Sequence, residues 1–415
     1  MSNRGYHLNP AIVVGLIVLA VTGLTWANNR FVRPIPGQDD FTTGWFAANM
    51  FLMKGISPYD VRVTQAIQSF EGSSQALPTG HPLPPRFTEP FYALLIFAPF
   101  SLVDIHLARA LWQTVIELSY LLAVSGFVSL TGWKISPWAL GILVGWAIFW
   151  YNGAHAMYLG QLSILVIFMM VAAMVLFQGG NEGGAGFLMA LSLVKPELSL
   201  LVVMFFFAWA LSTHRVRFYG SFLASLAFLF TVTLILVPAW PLQWVGAMVN
   251  SAGHPDWYSS AFSRAAFALP GIKKPLFAVL HIGFGLFLLV EWLLALKKDQ
   301  KHFYWAWLLT LTISALIVPR SNTSVTLLIL PVVFQLAQIW QTRWRKAGTL
   351  LTSAMLVLIL SASWALALPA LQHGYPEPLA LFILPPLLGL VVLIWIRYWV
   401  IRPSRLPLDL MRDLD

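Results

Sequence analysis

Cysteine is absent from all 415 residues. Disulfides, thiolate nucleophiles and cysteine-held zinc or iron-sulfur centres are therefore excluded. Charge is scarce too: Asp, Glu, Lys and Arg make up 10% of the chain, against about a quarter in a soluble domain. Acidic groups are the scarcest, 16 against 25 Lys and Arg, a formal excess of +9. The excess sits in short loops between apolar runs, which is what membrane orientation produces. No basic stripe with interleaved aromatics occurs, so nucleic acid is not an expected partner. A phosphate-binding Gly-rich loop, a nucleophile elbow and HExxH are missing. His81, His106, His155 and His373 stand apart, with no carboxylate at metal-ligand spacing, so no metal site is expected.

What is present is hydrophobic: 59% of residues, with a mean hydropathy of +0.76. The 19 tryptophans, many at the ends of apolar runs, suit an interfacial aromatic belt. The chain reads as an all-α, polytopic transmembrane protein. Residues Pro10 to Ala27, preceded by Arg4, are long for a signal peptide and lack a cleavage site, so they read as an uncleaved anchor. Further apolar runs lie at 89–103, 105–130, 135–152, 162–178, 185–212, 216–237, 275–296, 303–319, 325–341, 347–368 and 379–401. Taken as one span each they give about twelve, with 185–212 a single helix kinked at Pro196.

Twelve spans place Arg4, Arg215 with Arg217, Lys297 to Lys301, Arg343 to Lys346 and the tail with Arg402 and Arg405 on one face. The positive-inside rule makes that face cytoplasmic, with both termini on it. The whole chain, 1–415, is then one transmembrane domain. Two long loops, 28–88 and 238–274, fall outside, each with helical periodicity and aromatics. No repeat at solenoid spacing is present.

The first external loop carries the densest signal, GQDDFTTGWFAANMFLMKGISPYD from Gly37 to Asp60. Trp45, Phe46, Met50 and Met53 recur at helical spacing, so they are expected to form an interfacial face that holds Asp39 and Asp40 near the headgroups. Either Asp40 caps that helix, or one carboxylate serves as a general base; the two roles are compatible. Lys195 and Glu197 flank Pro196 inside an apolar run, where ionisable groups are costly and usually functional. They read as a mutual ion pair, or as a cation offered to phosphate. Arg320 lies on the external side, where orientation gives it no purpose; it snorkels, or it grips phosphate as a fork. In the second loop, Asn250, His254, Asp256, Trp257, Tyr258 and Arg264 are either solvated or a surface for stacking and hydrogen-bonding a sugar.

Together these pieces resemble the polytopic glycosyltransferases of family 87, of the GT-C fold. The resemblance rests on Asp40-Phe41, Trp45-Phe46-Ala47-Ala48, Gly55-Ile56-Ser57-Pro58-Tyr59-Asp60, Gly160-Gln161-Leu162-Ser163, Lys195-Pro196 and Pro319-Arg320-Ser321, in that order. Glu89-Pro90-Phe91 stands where the family has a Tyr-Pro-Pro-like start to a short span, and Tyr258-Ser259-Ser260 where it often has Asn-Gln-Ser. The likeness extends to about residue 335. It implies a polyprenyl-phosphate sugar as donor, commonly of mannose or arabinose, a lipid or glycan acceptor on the external face, and no nucleotide sugar or other cofactor. It makes Asp40 the inverting base with Asp39 as its understudy, and Lys195 or Arg320 the holder of the leaving phosphate. Gln161, Tyr59, His254, Asp256 and Arg264 complete the expected substrate contacts. A bacterial plasma membrane is the expected location. Two rival readings are a transporter or flippase using Lys195 and Glu197, and a silent subunit of a larger membrane complex.

Overall fold

The computed structural model describes residues 10–31, 40–71, 85–252, 273–296, 300–318, 323–373 and 377–398. Every regular element among them is helical. In chain order they are α1 (Pro10–Phe31), α2 (Asp40–Lys54), α3 (Val61–Glu71), a 3-10 turn (Phe91–Ala93) leading into α4 (Leu94–Ser101), α5 (Ile105–Leu130), α6 (Pro137–Phe149) and α7 (Tyr151–Tyr158). Then come α8 (Leu162–Gln178), α9 (Glu182–Leu191), a 3-10 turn (Ser192–Val194), α10 (Pro196–Ser212), α11 (Val216–Leu236) and α12 (Trp240–Ala252). The last are α13 (Lys273–Ala295), α14 (Gln300–Ile317), a 3-10 turn (Val325–Ile329) running into α15 (Leu330–His373), two helical segments joined by a kink at Arg345 (φ 44°, ψ −111°), and α16 (Ala380–Ile396).

Among the described residues, four helical stretches are long and apolar enough to cross a bilayer: α5, α11, Ala278–Ala295 and Val325–His373. The pair α7 and α8, bent by 115°, makes a fifth if it is one broken span. Five further apolar helical stretches, Phe91–Ser101, Pro137–Phe149, Glu182–Val194, Pro196–Ser212 and Ala380–Ile396, have 10–17 residues, short of the ~20 that a perpendicular span needs. The described residues are thus all-helical and consistent with a membrane protein, and helix length alone does not establish twelve spans.

The core centres on α14, where Phe303, Trp305, Ala306, Trp307, Leu308 and Leu309 are all buried. A helix apolar on every side belongs inside the protein rather than on its surface. Phe303 meets Phe177 of α8, Phe205, Phe206 and Trp209 of α10 in stacked, tilted and edge-on contacts. Helix α9 closes on α11 through Gly186, where a Cβ would come within 2.3 Å of the Phe218 carbonyl oxygen. Small residues permit such approach where dispersion, not water, drives packing. By contrast α1, α11 and α13 expose Leu19, Ile235 and Ile282, as lipid-facing helices do.

Two expectations change. Residues 185–212 are not one kinked helix: α9 and α10 are separate, and Lys195 between them is extended at φ −130°, ψ 76°. A residue before proline is driven out of the helical region, and Pro196 then starts α10 without needing an N–H partner. The expected interfacial face of Trp45, Phe46, Met50 and Met53 is left half-buried or exposed except at Met50, and α2 packs on the protein largely through a different set. Phe41, Thr42, Gly44, Ala47, Ala48 and Met50 are buried, and Met53 is 57% exposed. Gly44 lies so close to Phe97 of α4 that a Cβ would come within 2.5 Å of its ring. Close helix contact selected the small side chains over the large ones.

Candidate functional site

Helix α2 is pinned at its start by Phe41, fully buried and stacked on Trp112 of α5 with ring centroids 5.5 Å apart. Phe97 and Phe100 close around the same indole. Burying one such ring stabilises by roughly 2–3 kcal/mol. The indole Nε1–H of Trp112 donates to the Gly160 carbonyl at 2.7 Å, so one side chain ties α2 to the break between α7 and α8. Trp45 and Asn49 add donor contacts to the carbonyls of Phe100 and Ser101. The position of Asp40 is therefore set by packing on both sides of it.

Gly160 has φ +58°, the left-handed region that favours glycine, and a Cβ there would also press on Trp112 at 3.3 Å. The turn frees the first amide groups of α8, and the Leu162 N–H donates to Asp40 Oδ2 at 3.1 Å. Lys195 Nζ donates to the same oxygen at 2.6 Å. Asp40 thus lies at the start of α8, whose dipole favours negative charge there, and is reached by the Lys195 side chain from the start of α10. The Lys195 side chain is 7% exposed and that of Asp40 is 26% exposed, so the pair opens outward on the carboxylate side. Glu197 and Glu89 also lie within electrostatic reach of Lys195. Lys195 pairs with Asp40 rather than solely with its neighbour Glu197. Gln161 is buried beside them, and its side-chain oxygen has no partner among the described residues.

The Gly55–Asp60 segment supports this site from outside. Gly55, at φ +64°, reverses the chain after α2, and its N–H and that of Ile56 return to the carbonyls of Phe51 and Met50. Tyr59 folds under, and its hydroxyl donates to the Glu89 carbonyl at 3.0 Å. Burial, with Glu89 nearby, pushes the Tyr59 phenol well above its ordinary range, so it stays a donor. Asp60 accepts from Arg62 Nη2 at 2.7 Å and Nε at 3.0 Å, and those bonds hold its carboxyl below the usual carboxylate range. Ser57, Tyr59 and Asp60 face Gln243 and Asn250 of α12 across a cavity of about 260 Å³. A second cavity, about 440 Å³ and mostly apolar, lies between α1, α5, α6 and α7, with Gln113 and Glu117 as its polar wall.

Of the residues singled out by sequence, Asp40, Lys195 and Gln161 are brought together, and Tyr59 stands behind them through Glu89. Asp39, His254, Asp256, Arg264 and Arg320 lie outside the described residues. A second polar group was missed. His155 on α7 does have a carboxylate partner: its Nδ1 lies 3.2 Å from Glu377 Oε1, which also accepts from the Tyr151 hydroxyl at 2.6 Å. No local pattern marks the pair, because Tyr151 and Glu377 are 226 positions apart.

The sequence model of glycosyltransferase family 87 matches residues 87–319, more than half of the chain. No curated protein and no solved structure gives a significant match.

Proposed function

The chain belongs to glycosyltransferase family 87 and is a membrane glycosyltransferase; from that premise we propose that Asp40 and Lys195 are its reacting centre, with a polyprenyl-phosphate sugar as donor. The observation that carries this reading is their 2.6 Å contact at the start of α8. At rest the ammonium is satisfied by the carboxylate. A donor phosphate brings a stronger anion to the same cation, and Lys195 swings from Asp40 to the phosphate oxygens. Asp40 Oδ2 is then released toward an acceptor hydroxyl. The base is unmasked only when the donor is in place, which limits wasteful attack by water.

Transfer is a single displacement. The acceptor oxygen attacks the anomeric carbon from the face opposite the phosphate, forming the new glycosidic bond with inversion. The carbon–oxygen bond to the phosphate breaks and its electron pair leaves with the lipid phosphate. Asp40 takes the hydroxyl proton, a contribution of about 10²–10⁴ in rate for a well-placed base. Lys195 and the start of α8 stabilise the charge gathering on the phosphate, which a partly dry site makes more effective. The apolar cavity beside α7 offers room for an isoprenoid chain near that phosphate. The sugar is mannose or another hexose or pentose, and the acceptor a lipid or glycan at the external face of a bacterial plasma membrane. Twelve spans with both termini cytoplasmic remain the topology that fits the basic loops.

The test is incubation of the purified chain with radiolabelled polyprenyl-phosphate mannose and membrane lipids. A labelled glycolipid is expected from the wild type, and its yield falls at least about 100-fold in Asp40→Asn. Full activity in that variant removes Asp40 as base. A second reading, a lipid transporter, is favoured by the broken α7–α8 pair, whose second half-helix starts at an anionic group, an arrangement transporters use. Label that changes leaflet without changing its covalent attachment supports that alternative.

A further inference from the structure

The polar group around Glu377 is built from four separate parts of the chain. Tyr151 and His155 sit one turn apart on α7, and their rings stack with centroids 5.4 Å apart. Thr323 comes from the turn before the 3-10 segment, Glu377 from just ahead of α16, and Trp364 of α15 packs edge-on against Tyr151 at 5.3 Å. Asn152 stitches α7 down from within, its amide donating to Thr326 and to the Leu381 carbonyl. Rings, hydroxyls and amides thus hold one imidazole and one carboxylate in fixed positions.

The protonation pattern follows from the contacts. Nδ1 lies 3.0 Å from the Thr323 hydroxyl and 3.2 Å from Glu377 Oε1; a bare lone pair there would be repelled by the carboxylate, so Nδ1 carries the hydrogen and shares it between Thr323 and Glu377. Nε2 is then an acceptor, with no partner among the described residues. Glu377 Oε1 is occupied by Tyr151 and His155, which leaves its other oxygen as a second acceptor. The two side chains are 22% and 24% exposed, so neither is sealed inside the protein. A carboxylate oxygen accepts from neutral hydroxyl donors. Two adjacent acceptors call for two adjacent hydroxyls. Position agrees: the Gln161 N–H donates to the carbonyl of Ala156, the residue after His155, at 3.2 Å across the Gly160 turn, and the next residue, Leu162, donates to Asp40.

We infer that Glu377 and His155 form a hydroxyl-recognition subsite that takes the neutral ring of a sugar beside the Asp40–Lys195 centre. The inference rests on the proposed function for the origin of that sugar, which is either the ring on the lipid-phosphate donor or a ring of a glycan acceptor. Phosphate goes to Lys195 and hydroxyls go to Glu377, a division by charge.

Direct binding to the full-length chain in detergent tests this without turnover. One arm compares polyprenyl-phosphate mannose with bare polyprenyl phosphate; the other compares a mannosyl glycolipid with the same lipid lacking its sugar. In one arm the wild type is expected to bind the sugar-bearing lipid about tenfold tighter, and that arm identifies the source. Each of Glu377→Gln and His155→Phe is expected to erase most of that difference and to leave binding of the sugar-free lipid unchanged. The inference is overturned if neither arm shows a sugar-dependent gain, if the variants keep it, or if they lose the bare lipid equally, which marks a purely structural role. A sugar-dependent gain in a wild type that forms no labelled product supports the subsite and removes the transfer reading.

Discussion

The Asp40–Lys195 pair makes a quantitative prediction that a double-mutant cycle can test. Two unit charges about 4 Å apart at an effective dielectric of ~20 attract by about 4 kcal/mol. Desolvation offsets part of that. Lys195 is 7% exposed and has lost most of its water, whereas Asp40 keeps 26% exposure and the Leu162 N–H as a further partner. A net coupling of about 1–3 kcal/mol is therefore expected. The two single variants should not be equal. Lys195→Met leaves a carboxylate that still faces water and the start of α8, and costs about 1–2 kcal/mol. Asp40→Asn strands a buried ammonium whose remaining carboxylates, Glu89 and Glu197, are not in its first contact, and costs about 2–3 kcal/mol. The double variant should be more stable than the sum of the two losses by the coupling. Denaturant titration in detergent micelles, followed by tryptophan fluorescence, reads all four proteins. Additivity to within about 0.5 kcal/mol would refute the pairing as an energetic unit. The same four proteins separate the roles in transfer: Lys195→Met raises the KM for donor, and Asp40→Asn lowers kcat.

Gly160→Ala puts a Cβ at φ +58° and against Trp112 at 3.3 Å. A loss of about 1–2 kcal/mol is expected, with a larger fall in transfer because the Leu162 N–H shifts away from Asp40; equal falls in both would show that the turn only stabilises. Gly44→Ala drives a methyl within 2.5 Å of the Phe97 ring. Overpacking of about 1–3 kcal/mol should appear in denaturant titration and be partly relieved by adding Phe97→Leu. Asp60 has a folded pKa depressed by Arg62. Its contribution is fully present above its unfolded pKa, near ~4, and is lost as pH falls through the lower folded value. Limited proteolysis of the 55–62 segment should therefore accelerate toward pH 3, and Asp60→Asn should flatten that dependence; an unchanged slope would show the pair to be inert.

Much of the helix placement is legible in composition alone. The apolar runs 105–130 and 162–178 coincide with α5 and α8, because a segment so poor in charge, with only Arg109 and Glu117 between them, has only lipid or protein in which to lie. The break at Lys195 was also written locally, in the residue before Pro196, and reading it as a kink underweighted the steric bar on a helical residue there. The buried face of α2 was not legible by hydrophobicity. That measure picks Trp45 and Met53, whereas close packing on α4 rewards Gly44, Ala47 and Ala48 for being small. His155 was read as isolated because its partner arrives from the far end of the chain.

Scarcity of charge explains which part of the site a sequence can reveal. In a chain with 10% charged residues and an apolar interior, each ionised group inside must find a partner or forfeit its charge. Asp40 finds Lys195, Glu291 finds Arg397, Glu117 accepts from Asn28, and Glu377 holds His155 and Tyr151. The need for a partner is local and readable; the partner's identity is not, because it depends on how distant helices dock. At the candidate site that docking is set by two breaks, at Gly160 and at Lys195-Pro196. The first presents the start of α8 to Asp40 and the second the Lys195 side chain. A continuous α9–α10 would carry the Lys195 backbone into helical register and turn its ammonium away from Asp40. A continuous α7–α8 would return the Leu162 N–H to its own helix. The chemistry proposed for Asp40 therefore depends on the glycine and the proline as directly as on the lysine.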